Sequence, residues 1–132
     1  MEPEFSILIV EDMLSWQRKF VRYLQNEPVR IELAANFQTA VDLIVKHHFD
    51  LAILDVNLTN VSKNIDGIHL GELIRQQDAN VKIIVVSGSH SASESLRLRA
   101  FEPDGCFSKA TFEHEDFIRC VRQNLANSVP NS

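Results

Sequence analysis

The segment Leu51-Ala52-Ile53-Leu54-Asp55 places a carboxylate directly after an apolar run, and this arrangement decides how the chain folds. A continuous apolar run is typical of a strand that is covered on both faces, as in a parallel sheet. A charge at the end of a buried strand is costly unless another group offsets it. We therefore expect Asp55 to lie at a site that contains compensating groups.

Strand-like and helix-like segments alternate along the chain, and this alternation predicts a parallel sheet with helices on both faces. The predicted strands are Phe5 to Val10, Arg30 to Ala34, Asp50 to Leu54, Val81 to Ser87 and Gly105 to Ser108. We therefore expect the fold class to be α/β, a doubly wound (βα)5 arrangement with a five-stranded parallel sheet. The second strand alternates apolar and polar residues, which favours an edge position.

Apolar residues recur at helical spacing after each strand, as expected for helices that pack on the sheet. The stripe of the fourth predicted helix consists of Leu96, Ala100 and Phe101. We expect residues 1–126 to form one domain, and residues 127–132 to be a tail or the start of a linker.

Length, charge and composition exclude several classes of protein. The 132 residues carry a net charge of −5, which disfavours direct binding to nucleic acid. The sequence has no apolar run long enough to cross a bilayer and no signal peptide at its start, so we expect a cytoplasmic protein that does not enter a membrane. Cys106 and Cys120 are interpreted as free thiols, with Cys106 buried and inert.

Polar residues that could bind a cation and a phosphoryl group follow four of the predicted strands. Glu11 and Asp12 follow the first strand, Asp55 the third and Lys109 the fifth, and Ser87 ends the fourth. Parallel strands bring their carboxyl ends to one edge of the sheet, which is where such sheets bind ligands. Mg²⁺ prefers carboxylate and phosphate oxygens, so these residues predict a magnesium site beside a nucleophilic Asp55.

With these elements in this order, the chain resembles the receiver domains of two-component response regulators from Phe5 to Leu125. The resemblance implies a flavodoxin-like doubly wound sheet with the strand order 2-1-3-4-5. The resemblance implies that Asp55 is the phosphoacceptor, and that Lys109 and Ser87 contact the transferred group. It also implies a Mg²⁺ ion held by Asp12, by Glu11 through water, by Asp55 and by the backbone carbonyl of Asn57.

The resemblance implies a phosphorelay function. The phosphoryl group would come from a phosphohistidine on a histidine kinase or a histidine phosphotransfer protein. The domain would catalyse its own phosphorylation and dephosphorylation without being a conventional turnover enzyme. Phosphorylation would then shift a conformational equilibrium and change a surface that binds an output partner. A homodimer is possible, and the sequence names neither the kinase nor the partner.

The sequence departs from the family pattern at three places. Cys106 stands where an aromatic residue usually reports phosphorylation. Ala110 follows Lys109 where a proline with a cis bond is common, and we expect a trans bond because a cis bond without proline costs roughly 2.5–4 kcal/mol. The segment from Asn57 to Gly67 is interpreted as a polar loop a few residues longer than usual.

Three other functions fit the predicted fold. A receiver-like interaction module that works independently of phosphorylation is the main alternative, because the aromatic switch residue and the proline are absent. A flavin-binding electron carrier is disfavoured, since three acids at the strand ends would repel a flavin phosphate. A phosphatase of the haloacid dehalogenase type is disfavoured because Asn57, two residues after Asp55, is not a second carboxylate.

Overall fold

The computed structural model describes residues 5–56, 61–88 and 101–128, and gives side-chain environments in these ranges apart from residues 61–66. All strands in these ranges run parallel in one sheet of order β2-β1-β3-β4-β5. Their bounds are β1 (Phe5–Val10), β2 (Val29–Ala34), β3 (Leu51–Val56), β4 (Lys82–Ser87) and β5 (Gly105–Ser108). The predicted fold class and strand order are confirmed, and β2 occupies the predicted edge.

The helices in the described ranges are α1 (Leu14–Leu24), α2 (Phe37–Lys46), α3 (Val61–Gln77) and α4 (His114–Ala126). A 3₁₀ turn, Lys109–Thr111, follows β5 directly. The predicted stripe residues Leu96 and Ala100 lie outside the described residues. Among the helices within 5–56, 61–88 and 101–128, none combines the length and the apolar character that a bilayer crossing requires.

The sheet separates two apolar layers because successive strand residues face opposite sides. Leu8, Ala52 and Leu54 pack into the layer that includes residues of α2 and α3. The other layer contains Ile9 and Ile53, together with residues of α1 and α4. Since both faces are covered, the central strands are apolar at consecutive positions, as the sequence indicated.

Helix α3 begins earlier than the sequence indicated. Residues 57–67 were expected to form a loop, but the helix begins at Val61, and only residues 57–60 lie outside the described part of the chain. The expectation was wrong because the first turns of a helix can form from polar residues and need no apolar stripe.

Two glycines allow α3 to lie close to its neighbours. A Cβ atom at Gly67 would be 3.3 Å from the backbone oxygen of Asp55 and 3.2 Å from the Val56 side chain. A Cβ atom at Gly71 would be only 2.7 Å from the ring of Phe101. Glycine is unfavourable inside a helix, so its presence here is explained by close packing of α3 on the sheet.

The side chain of Arg75 ties the end of α3 to the segment that leads into β5. Its guanidinium donates hydrogen bonds to the backbone oxygens of Phe101, Ala79, Val81 and Glu102. It also donates to Asp104 Oδ2, which accepts a second hydrogen bond from the backbone N–H of Ile83. All the N–H donors that a guanidinium offers are therefore used by the protein.

We expect Arg75→Met to lower the free energy of unfolding by about 2–4 kcal/mol, because it leaves the partly buried carbonyls of Phe101 and Val81 without this donor and removes the ion-pair partner of Asp104. Urea denaturation measures the loss. The matched control is Arg119→Met, which removes an arginine whose ion pair with Asp116 is exposed. Equal stability of the two variants would contradict this account of Arg75.

Candidate functional site

Strand alternation brings three site residues to the same layer of the protein. Glu11, Asp55 and Lys109 each lie two residues beyond a side chain that packs between the sheet and helices α1 and α4. Those preceding side chains are Ile9, Ile53 and Phe107. Because alternate residues of a strand share a face, the two carboxylates and the ammonium extend this apolar layer at its carboxyl edge.

The acidic residues converge within a small volume. One carboxylate oxygen from each of Glu11, Asp12 and Asp55 lies within 4.8 Å of the others. Glu11 is buried, Asp55 is half-buried and Asp12 is exposed. Asp55 lies within β3, opposite Val86 of β4, rather than just beyond the strand. The predicted convergence of the three acids is therefore observed.

Lys109 supplies the positive charge at the cluster. Its Nζ atom lies 2.9 Å from Glu11 Oε1 and 3.4 Å from Asp55 Oδ1. Only 13% of the Lys109 side chain is exposed, so this ion pairing is partly shielded from water. Low solvent exposure strengthens the attraction between opposite charges and raises the cost of leaving any of them uncompensated.

Two buried oxygens at the cluster have unused accepting capacity. Within the described residues, neither Glu11 Oε1 nor Asp55 Oδ1 accepts a hydrogen bond, although both are at ion-pair distance from Lys109. The other oxygen of Glu11, Oε2, accepts a hydrogen bond from the backbone N–H of Met13 at 3.0 Å. Glu11 is thus held from one side while its second oxygen faces the cluster.

Burial raises the pKa of Asp55 to about 7, and the nearby negative charge of Glu11 adds to the effect. The Lys109 ammonium opposes the increase without cancelling it. A carboxyl group in this state needs further positive charge in order to stay ionised at neutral pH.

The donor set fits a hard divalent cation. Carboxylate oxygens from several residues, two of them buried and lacking hydrogen bonds, are the kind of ligands that Mg²⁺ takes together with water. Glu11, Asp12 and Asp55 could hold the ion. The predicted fourth ligand, the carbonyl of Asn57, lies outside the described residues.

Ser87 is the last residue of β4 and is fully buried. It lies opposite Val56 and Ser108, one position further along the sheet than Asp55. Strand alternation places it in line with Val85, which packs in the layer of α2 and α3. The sheet therefore brings Ser87 to the same edge as Asp55, from the other layer.

Two of the positions at which the sequence differs from the family pattern lie in β5 or in the turn directly after it. The peptide bond between Lys109 and Ala110 is trans, as predicted. Cys106 and Cys120 are free thiols, also as predicted, but the expectation that Cys106 is buried was wrong, because it is exposed on the edge strand β5. Desolvation of the sulfur nevertheless raises the pKa of the Cys106 thiol, which disfavours the reactive thiolate.

Comparisons with known proteins agree with this geometry. The family model described as the response regulator receiver domain matches residues 7–122. This chain belongs to that family. The receiver domain is 28% identical over 106 residues to the sensor histidine kinase RcsC of Escherichia coli, covering 80% of this chain and 11% of the kinase.

Two further proteins are similar over most of the receiver domain. The probable transcriptional regulator ycf29 of Porphyra purpurea is 24% identical over 130 residues, which cover 97% of this chain and 60% of the regulator. The chain thus spans less than two thirds of either curated relative. A CheY-like receiver domain from Methanospirillum hungatei has the same fold, with a TM-score of 0.81, 23% identity and coverage of 93% of this chain and 94% of the other.

The sequence analysis missed one residue of the site in this receiver domain. Trp16 lies on α1, and its ring packs in the apolar layer that includes residues of α1 and α4. Its ring centre also lies 5.2 Å from Lys109 Nζ. One feature of the sequence could have identified Trp16 as a neighbour of the site. It lies in the first turn of the helix that follows Glu11 and Asp12, which places it at the carboxyl edge of the sheet.

We expect Asp55→Asn to stabilise the metal-free receiver domain by roughly 1–3 kcal/mol above pH 7. Between pH 3.8 and about 7, the folded chain keeps a proton on Asp55 that the unfolded chain has released, so stability falls as the pH rises. Asparagine removes this loss. The gain should shrink toward zero as the pH falls to 3.8, where Asp55 is increasingly protonated in both states.

Urea denaturation with a chelator present, at several pH values, measures this dependence. Asp116→Asn is the matched control, because it neutralises an exposed carboxylate on α4 whose ion pair is with Arg119 and not with Lys109. A gain of the same size at every pH would contradict the assigned cause.

Proposed function

We propose that Asp55 accepts a phosphoryl group from a phosphohistidine donor in a Mg²⁺-dependent reaction, and that this reaction switches a partner-binding surface. The observation that carries the proposal is the environment of Asp55 Oδ1. This oxygen is buried, accepts no hydrogen bond from the described residues, and lies 3.4 Å from the Lys109 ammonium. An unengaged carboxylate oxygen beside a cation suits attack on a phosphorus atom.

The proposed transfer forms one bond and breaks one bond at phosphorus. A carboxylate oxygen of Asp55 attacks the phosphorus, and the bond from phosphorus to the donor imidazole nitrogen breaks. The imidazole nitrogen keeps that electron pair and takes up a proton from solvent, which leaves neutral histidine. Hydrolysis returns the domain to its unphosphorylated state. Water attacks the phosphorus, the bond from phosphorus to the Asp55 oxygen breaks, and inorganic phosphate leaves while the Asp55 carboxylate is restored.

The surrounding residues have distinct parts in this proposal. Lys109 places its charge on the transferred group, and the Ser87 hydroxyl donates a hydrogen bond to one of its oxygens. Glu11, Asp12 and Asp55 would hold Mg²⁺, together with the carbonyl of Asn57, a ligand that rests on the family resemblance because Asn57 lies outside the described residues. When bound, the ion supplies positive charge that offsets both the acidic cluster and the incoming phosphoryl group.

The family defines the class of partner. Receiver domains interact with histidine kinases or phosphotransfer proteins, and the chain is similar to parts of two histidine kinases. We propose that the donor for this domain is of that kind and that the reaction takes place in the cytoplasm. Residues 1–126 would form the responding domain, and residues 127–132 a tail or linker.

A phosphorylation-independent interaction module is the second candidate. It is favoured by the exposed Cys106 in place of the usual aromatic residue, because the usual switch cannot operate there. The two candidates make opposite predictions for Asp55→Asn. A phosphorylation switch loses its response in this variant, whereas a constitutive module binds its partner equally well in both forms.

Incubation with acetyl phosphate and Mg²⁺ should raise the mass of the parent chain by one phosphoryl group, and Asp55→Asn should abolish the increase. Intact-protein mass spectrometry measures it. Asp116→Asn is the control and should gain the group as the parent does. A phosphoryl group on Asp55→Asn, or none on the parent with either acetyl phosphate or a phosphohistidine donor, would refute the proposal.

We expect Asp12→Asn to weaken Mg²⁺ binding by at least about tenfold, since losing a residue that supports a metal site typically costs 10- to 100-fold. Isothermal titration calorimetry at pH 8 measures the dissociation constant. Asp42→Asn, which removes an exposed carboxylate on α2, changes the net charge equally and should bind Mg²⁺ as the parent does. Equal affinities of the two variants would remove Asp12 from the metal site.

A further inference from the structure

The Lys109 ammonium lies within ion-pair distance of two carboxylates and also over an aromatic ring. Its Nζ atom is 5.2 Å from the centre of the Trp16 ring, inside the range in which a cation is attracted by the ring quadrupole. Tryptophan gives the strongest attraction of this kind among the aromatic residues. We propose that Trp16 is a positioning residue, and that its ring holds the Lys109 ammonium against Glu11 and Asp55.

The lysine needs such a restraint. An ammonium on a four-carbon stem is a flexible point charge with no directional preference of its own. Glu11 Oε1 at 2.9 Å and Asp55 Oδ1 at 3.4 Å attract it, but neither oxygen accepts a hydrogen bond from any described residue, so these ion pairs restrain its direction less than hydrogen bonds would. The Met13 sulfur, 4.0 Å from Nζ, is a weak acceptor. The indole is a further close group that favours the charge.

The Trp16 ring is itself held in place by other rings. Its centre lies 5.6 Å from that of Phe20 and 5.2 Å from that of Phe112, which meets it edge-on at 87°. Phe112 also contacts Phe117 at 5.2 Å and stacks on Tyr23 at 6.0 Å. Paired aromatic rings in these geometries stabilise one another, so the indole is a fixed surface for the ammonium.

The same cluster anchors the backbone of Lys109. Phe112 follows the 3₁₀ turn Lys109–Thr111, and its ring is the one that meets Trp16 edge-on. The backbone of Lys109 is therefore connected to Phe112 through the turn, and the Lys109 ammonium is connected to the same ring through Trp16. This arrangement limits the positions that the ammonium can take before a substrate arrives, which is the preorganisation that phosphoryl transfer requires.

A second cation shares the ring and provides a control. Lys19 Nζ lies 4.4 Å from the centre of the Trp16 ring, but Lys19 is on α1 and no ion pair to the acidic cluster is found for it among the described residues. Replacing Lys19 by glutamine leaves Lys109 as the cation on the indole. Any effect of the ring in that background then reports on Lys109.

This inference rests on the proposed phosphoryl transfer for its consequence, but the position of the ammonium can be measured without it. Trp16 is the only tryptophan in the chain, so growth on fluorinated tryptophans changes that ring alone. Fluorine withdraws charge from the ring face with little change in shape, and so weakens the attraction for a cation in steps.

In the Lys19→Gln background, we expect increasing fluorination to raise the rate of reductive methylation of the Lys109 amine by about 2- to 30-fold in total. Mass spectrometry of peptides measures the rate. The rate constant for phosphorylation at saturating acetyl phosphate should fall over the same series by a similar factor, while half-saturation by Mg²⁺ stays constant. Circular dichroism checks that each form is folded.

Point variants provide the second test. Trp16→Phe keeps an aromatic face and should stay within about threefold of the parent in both measurements, whereas Trp16→Leu keeps only apolar bulk and should match the most fluorinated form. A labelling rate that is independent of fluorination would overturn the proposal, as would equal effects of phenylalanine and leucine. If the parent accepts no phosphoryl group, the labelling series alone decides the role of Trp16.

Discussion

The acidic site depends on keeping three carboxylates close together when their charges repel. Glu11, Asp12 and Asp55 bring their oxygens within 4.8 Å of one another, and in the metal-free chain Lys109 is the cation seen among them. Its charge does not fully compensate, because burial and Glu11 raise the pKa of Asp55 to about 7. The site is therefore built with an electrostatic deficit that a divalent cation would remove.

The sheet makes this unfavourable cluster possible by holding it on rigid elements. Glu11 follows β1 and Asp55 lies within β3, which are paired neighbours whose residues below the site are fully buried. The charges thus lie at the end of the best-packed part of the molecule, and the packing energy of the two apolar layers outweighs their repulsion. Gly67 lets α3 lie close to β3, because a Cβ atom at this position would be only 3.3 Å from the backbone oxygen of Asp55. A side chain at this position would require α3 or the neighbouring part of β3 to shift by a few tenths of an ångström.

The surroundings of Lys109 differ from the usual family pattern in a consistent way. The usual aromatic position on the exposed side of β5 is Cys106, and the bond after the lysine is trans and leads to Ala110. On the opposite side of β5, Phe107 joins Phe112 and Trp16 in a cluster of rings beneath α1 and α4. These aromatic rings near the site thus lie on the side of the sheet that α1 and α4 cover. A movement of the Lys109 side chain toward that side of the sheet would contact these closely packed rings.

The sequence by itself determined the α/β fold class and the convergence of Glu11, Asp12, Asp55 and Lys109, because apolar runs ending in charged residues indicate which strands are buried and which ends meet. The strand order followed from the family resemblance that these residues carry. It misjudged the start of α3 and the exposure of Cys106, since helix starts leave no apolar pattern and an edge strand leaves one side open. Only the tertiary structure decided that the Trp16 ring lies beside Lys109 and that Asp55 Oδ1 accepts no hydrogen bond from the described residues. Both facts depend on side-chain distances between α1, β3 and the turn after β5, and local sequence patterns do not encode distances between elements far apart in the chain.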